Sequence, residues 1–225
     1  MQSSDYYDSI APDYEVIASR RKAYLDAVDN IVKNSASQKN IRILDIGSGD
    51  GKRISKIFST TQDEIWAIEN SSEMFQILNR NSRVQRKLFI SIEDFMDTSV
   101  KFNLITSLWN VFGHIYDIEI PLNVIKKQLN TDGKFIFDVN NPYNVKNYGY
   151  LAVLKNSIKI FLKMEPLTYN LNTGQNITSV FFRSPKTYKN LLRKAGFTKI
   201  EIRYIDYDNG TFGNILSGQL LIVCN

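Results

Sequence analysis

The stretch ILDIGSGDG at residues 43–51, followed at once by Lys52 and Arg53, narrows the fold of this chain more than any other feature. An apolar run that ends in glycines spaced G-x-G-x-G specifies a strand, a tight turn and a helix whose start faces a ligand. Such a unit needs neighbours, because a strand this apolar must be covered on both faces.

The neighbours are present in the expected rhythm. Apolar, β-branched runs recur at 41–46 (IRILDI), 64–69 (EIWAIE), 87–92 (KLFISI), 102–109 (FNLITSLW) and 133–139 (GKFIFDV). Helical spacing fills 52–58, 72–80 and 118–129, where Ile118, Leu122, Ile125 and Leu129 share one side. Ahead of the first strand, Ile17, Tyr24, Leu25, Val28, Ile31 and Val32 form an amphipathic helix. Strands alternating with helices predict an α/β fold with a doubly wound, mostly parallel sheet. Near the end, SPKTYKNLLRKAGF reads as a helix capped by Ser184 and stopped by Gly196. The strands TKIEIRYIDY and GQLLIVC follow, joined through Asp208-Asn209-Gly210. A link this short demands antiparallel pairing, so a seven-stranded sheet ending in an antiparallel pair is expected.

Between the fifth strand and that helix, IKIFLK at 158–163 and NITSVFF at 176–182 alternate with period two, separated by the turn residues Asn172-Thr173-Gly174. They predict a small β-hairpin insertion. Lys155, Lys159 and Lys163 also fit a basic helical stripe, which makes a surface helix the competing reading.

With 225 residues and no Pro, Gly or Ser tract dividing it, the chain reads as one domain. Its expected parts are an N-terminal helical lid (1–35), a ligand-binding core (36–145), the insertion (146–183) and the closing helix and strand pair (184–225). No apolar run approaches the roughly 20 residues of a membrane span, and the opening MQSSDYYDSIAPDY lacks a signal pattern. A cytoplasmic protein without a membrane partner is expected. The single cysteine, Cys224, allows neither an internal disulfide nor a thiolate metal cluster, and no metal site is predicted. The net charge of +5 comes from dispersed basic pairs, which reads as solvated surface.

Three ligand classes compete for the glycine turn. A triphosphate loop requires G-x-x-x-x-G-K-[ST], but Gly47 to Gly51 is one residue short and Arg53 replaces the hydroxyl. A dinucleotide site requires G-x-G-x-x-G, and here the third glycine comes one residue early, with Lys52 in its place. Glu69, 22 positions after Gly47 at the end of the second strand, can accept both hydroxyls of a ribose. Asp45, just ahead of the turn, is a poor neighbour for pyrophosphate and a good one for a ligand with an ammonium and a sulfonium.

At these residues the chain resembles class I S-adenosylmethionine-dependent methyltransferases. The resemblance covers nearly all of it: ILDIGSGDG, WAIENSSEM, ISIEDF, FNLITSLWNVFGHI and LNTDGKFIFDVN stand as five motifs in the family's order. It implies S-adenosylmethionine as cofactor, with its methionine portion against Gly47, Ser48, Gly49 and Gly51 and its amino group near Asp45. The ribose would fall to Glu69 with Asn70 beside it, the adenine to Glu93 or Asp94, and the methyl end to Trp109. Two departures stand out. Ser91 occupies a position where many relatives carry an adenine-contacting acid, and Asn130-Thr131-Asp132-Gly133 replaces the usual Lys-Pro-Gly-Gly turn.

Methyl transfer is an in-line displacement whose rate comes mostly from alignment. Trp109, Asn110, Phe112, Gly113 and His114 would line the acceptor side, and His114, the only histidine, suits proton removal. The loop Asn-Val-Phe-Gly-His-Ile resembles that of small-molecule, especially amino-sugar, N-methyltransferases. In the N-terminal lid, Tyr14 would close over the methyl, Arg20 or Arg21 could meet the cofactor's carboxylate, and Tyr6 and Tyr7 would anchor the first helix. Asn141-Pro142-Tyr143 reads as a loop near the substrate opening. The expected catalytic set is therefore His114, Asn110 and Tyr14, acting on N or O of a small molecule. An RNA or protein acceptor, which the basic charge and Lys159 and Lys163 of the expected hairpin allow, and a non-catalytic cofactor-binding subunit are the alternatives.

Overall fold

The computed structural model describes residues 3–36, 40–95, 99–172 and 177–225. Helices α1 (Ser3–Ile10), α2 (Tyr14–Ser19) and α3 (Lys22–Ser35) lead into β1 (Arg42–Ile46). There follow α4 (Lys52–Ile57), β2 (Glu64–Glu69), α5 (Ser72–Asn79), β3 (Arg86–Phe89), β4 (Phe102–Ser107), α6 (Glu119–Gln128) and β5 (Leu129–Val139). After β5 come α7 (Val145–Tyr148), α8 (Tyr150–Phe161), β6 (Leu167–Asn172), β7 (Ile177–Phe182), α9 (Pro185–Lys194), β8 (Ile200–Ile205) and β9 (Gln219–Cys224).

Among the described residues, seven strands form one sheet in the order β3-β2-β1-β4-β5-β9-β8. The first five pair in parallel, while β9 runs antiparallel to both β5 and β8. The fold class read from the sequence is the one observed. Period two explains why both faces are dry: Ile43 and Leu44, adjacent on β1, belong to different core clusters on opposite sides of the sheet. Leu122 and Ile125 of α6, with Tyr188 and Leu192 of α9, bury into one cluster. Tyr24, Val28 and Val32 of α3 bury into the other. Full burial of such side chains stabilises by roughly 1.5–3 kcal/mol each, enough to fix the register of the central strands. Because β1 lies between β2 and β4, the strand order reverses beside it and a crevice opens at the carboxyl ends of the strands.

Local signals set the boundaries. Ser71 caps α5 by accepting from Met74 N at 3.2 Å, and Ser184 caps α9 by accepting from Thr187 N at 3.2 Å with Pro185 behind it. The expected amphipathic helix is divided, α2 ending at Ser19 and α3 starting at Lys22. The third strand is shorter than expected, and the fourth ends at Ser107, two residues before Trp109. Asn130 to Gly133 belong to β5, where the register with β4 shifts, and a side chain at Gly133 would sit 2.9 Å from the Phe102 carbonyl oxygen.

The insertion corrects the reading of 158–163. Residues 158–161 close helix α8, with Leu162 and Lys163 just past its end, and the hairpin is built by β6 and β7 instead. The helical face wins because Val153 and Asn156 turn inward, Ile160 packs on Leu167, Val180 and Phe182, and Asn156 Nδ2 donates to the Pro142 carbonyl at 2.8 Å. Six alternating residues alone do not separate strand from helix. Lys159 therefore lies on the helix and Lys163 just beyond it, neither in the hairpin; of the expected turn, Thr173 and Gly174 lie outside the described residues.

Candidate active site

The turn after β1 is braced by two buried carboxylates. Gly47, Gly49 and Gly51 all hold positive φ, at +64°, +58° and +71°. Asp45 accepts from Thr106 Oγ1 at 2.6 Å and from Ser48 Oγ at 2.7 Å. Glu69 accepts from Gly49 N at 2.7 Å, Asn70 N at 2.9 Å and Ser71 N at 2.8 Å. Burial raises the pKa of both acids against the lowering effect of these hydrogen bonds. Fixing both carboxylates in this way offsets much of the cost of burying them and leaves the turn little freedom.

Across the crevice, the loop after β4 is held by remote groups. Trp109 and Asn110 sit at φ +68° and +62°, a region that costs non-glycine residues about 1–3 kcal/mol each. Asp138, at the end of β5, accepts from Trp109 N at 2.6 Å and from Tyr24 Oη at 2.7 Å. Asn110 Oδ1 accepts from Asn140 N at 3.0 Å, and the carbonyl of Asn110 from Gly113 N at 2.9 Å. Arg183, almost fully buried, donates to the carbonyls of Ile115 at 3.0 Å and of Tyr116.

The N-terminal helices close the top. Asp8 of α1 accepts from Ser71 Oγ at 2.6 Å and Glu73 N at 3.0 Å, which docks α1 on the start of α5. Tyr7 Oη comes within 3.3 Å of His114 Nε2, the rings of Tyr6 and His114 stack 6.4 Å apart, and Tyr14 lies beside Gly49. The result is a cavity of about 430 Å³ whose lining includes Gly47, Glu69 and Glu93 as well as Trp109, His114 and Tyr7. Burial drives the His114 imidazole down to about 4, outweighing the opposing effect of the Ser179 backbone. At neutral pH the ring is uncharged and can accept a hydrogen bond.

Of the residues expected here, Tyr14, Gly47, Gly49, Glu69, Asn70, Glu93, Trp109 and His114 line the cavity. Asp45 and Ser48 do not, since they bond to each other and hold the turn from behind. Gly51 faces away, where a side chain would run into Leu78. Asp94 turns back to accept from Ser91 Oγ at 2.7 Å, and it is Ser91 that reaches the cavity. Asn110 is outside the lining and its Oδ1 is engaged by Asn140 N, while Phe112 and Gly113 are buried. Arg21 pairs with Asp208 at 2.6 Å, while Arg20 is exposed. The Asn141 side chain ties down Ile215 and Gly218, and Tyr143 is not part of the wall. Tyr7, expected only to anchor its helix, was missed because no local pattern joins it to a histidine 107 positions away.

The family model described as DREV methyltransferase matches residues 20–201. An uncharacterized protein of Methanocaldococcus jannaschii is 26% identical over 209 residues, covering 88% of this chain and 76% of its own. Among solved structures, a Thermotoga maritima S-adenosylmethionine-dependent methyltransferase, named a possible histamine N-methyltransferase, superposes with TM-score 0.67 at 18% identity and 97% coverage of each chain. The DhpI complex with S-adenosylhomocysteine gives TM-score 0.67 at 14% identity, covering 99% of this chain and 94% of that one.

Proposed function

The chain belongs to the DREV methyltransferase family, and from that premise we propose that it methylates a nitrogen of a small-molecule acceptor. As a class I methyltransferase it uses S-adenosylmethionine. The residues fit that cofactor: Gly47 and Gly49 present backbone without Cβ atoms, and Glu69 is a fixed carboxylate at the wall. Gly47 and Gly49 would take the methionine portion, Glu69 and Asn70 the ribose, and Glu93 with Ser91 the adenine. Asp45 and Ser48 would act from behind, by holding the turn.

When bound, the cofactor supplies a methyl carbon already activated for in-line displacement. The chain's own residues then have three tasks. Tyr14 and Tyr7 cover the cavity and exclude water, Trp109 walls the acceptor side, and His114 orients the nucleophile. An imidazole lowered to about 4 is too weak a base to strip a hydroxyl, but it can accept a hydrogen bond from a neutral amine and aim its lone pair. This favours N over O.

The observation that carries the reading is His114 set against Tyr7 in the wall of a lidded cavity that Trp109 also lines, which suits a compact acceptor. The name of the Thermotoga relative points the same way. The test is a screen with radiolabelled S-adenosylmethionine against pooled small amines, total RNA and total protein. Label in a small-molecule amine, reduced by His114→Ala with cofactor binding retained, supports the proposal. Label confined to RNA or protein overturns it.

A further inference from the structure

Helix α8 turns an apolar face to solvent. Tyr150, Leu151, Leu154, Ile158, Phe161 and Leu162 are between 53% and 85% exposed. At about 100° per residue they occupy one unbroken arc of roughly 120° on the helical cylinder. Scattered exposed apolar residues are ordinary, but six on one face mark a surface that something else covers. Folding does not need this face, since the opposite side carries Val153, Asn156 and Ile160 into the protein. Phe212, Ile215 and Leu216 are also exposed, and the Leu216 carbonyl accepts from Val145 N at 2.8 Å, which brings that loop to the start of the α7–α8 pair.

Charge decides what covers the face. Lys155 and Lys159 follow the apolar arc along one edge, and Lys163 stands just past the helix end. Residues 150–164 contain no acid, and the next one, Glu165, turns inward to accept from Ser184 N at 2.9 Å and from Thr187. A second copy laid on this face would add three more lysines and no counter-charge. An anionic layer with an apolar interior satisfies both parts at once. The helix, with 12 residues, is about 18 Å long, too short to cross a bilayer core of about 30 Å, and no helix among the described residues is long and apolar enough to span one.

We propose that α8 docks in the plane of an anionic lipid surface, with its apolar face at the headgroup boundary and Lys155, Lys159 and Lys163 against lipid phosphates. Lipid docking is separate from the absence of a membrane span, and it places no demand on the acceptor chosen at the active site.

The test is co-sedimentation of the full chain with vesicles of phosphatidylcholine alone or with about one-third phosphatidylglycerol. Binding is expected to the anionic vesicles and to weaken as salt is raised. Lys155→Glu/Lys159→Glu should lower the partition coefficient by about tenfold or more while leaving the apolar face intact. Leu154→Ser/Phe161→Ser should abolish binding with the thermal transition and cofactor affinity unchanged, because both side chains are already exposed. No binding to anionic vesicles, or equal binding to neutral ones, overturns the proposal. So does a concentration-dependent dimer in sedimentation that disappears in Leu154→Ser/Phe161→Ser, since the face would then belong to a second copy.

Discussion

The two walls of the cavity place backbone in the same left-handed region by opposite means. At residues 47–51 glycines adopt it at little steric cost, braced by Asp45 and Glu69 from the adjoining strand ends. At 109–110 Trp109 and Asn110 are held there by Asp138 and Asn140, residues 29 and 30 positions away in sequence. The first wall is specified locally and the second by tertiary contacts.

Removing the remote support should produce the largest effect. Asp138→Ala leaves the Trp109 N–H and the Tyr24 hydroxyl without their acceptor and takes a charge away from the buried Arg53. The expected loss of unfolding free energy is about 3–5 kcal/mol by denaturant titration. A loss below about 1 kcal/mol would mean that the loop is specified locally after all.

Next in size is the cofactor wall itself. Glu69→Ala removes the brace on Gly49 and, on the proposed function, the acceptor for the ribose, and should weaken S-adenosylmethionine binding by roughly 100-fold in titration calorimetry. Unchanged affinity would remove Glu69 from the site. The walls also touch each other, since a Cβ at Gly47 would lie 2.7 Å from Val111 Cγ2. Gly47→Ala is therefore expected to cost about 2 kcal/mol, from strain at positive φ and from the clash. Adding Val111→Ala should recover the clash component alone, and a strictly additive double mutant would show the two walls to be independent.

This difference also explains what could be read in advance. ILDIGSGDG and Glu69 were legible because a glycine turn and a carboxylate at the next strand end are short-range patterns. The seven-stranded sheet was legible for the same reason, each strand carrying its own apolar run. Asp45 was placed correctly beside the turn, but its side chain is taken up by Thr106 and Ser48. Loop position alone marks Asn110 as a catalytic candidate, yet its amide oxygen is engaged by Asn140. Tyr7 and Arg183 carry no local signal, because each contacts the loop after β4 from a distant element. In 158–163 the period-two pattern was real but subordinate to the contacts of Val153, Asn156 and Ile160.

The smallest expected effect is an absence of change, and it tests the acceptor wall most directly. His114 is the only histidine, so the imidazole Cε1–H and Cδ2–H signals in the NMR spectrum belong to one ring. Burial lowers its pKa to about 4, against about 6.5 for an unfolded chain. Between those values the unfolded state binds the extra proton more strongly, so the stability this ring contributes is complete above about pH 6.5 and is lost as pH falls toward 4. The chemical shift should accordingly stay flat from about pH 6 to 8 and move only near 4, and Tyr7→Ala, by admitting water, should raise the midpoint toward the ordinary value. A wild-type midpoint near 6.5 would mean a solvated ring, an open acceptor wall and a histidine basic enough to deprotonate its substrate, which would return O-methylation to equal standing with N-methylation.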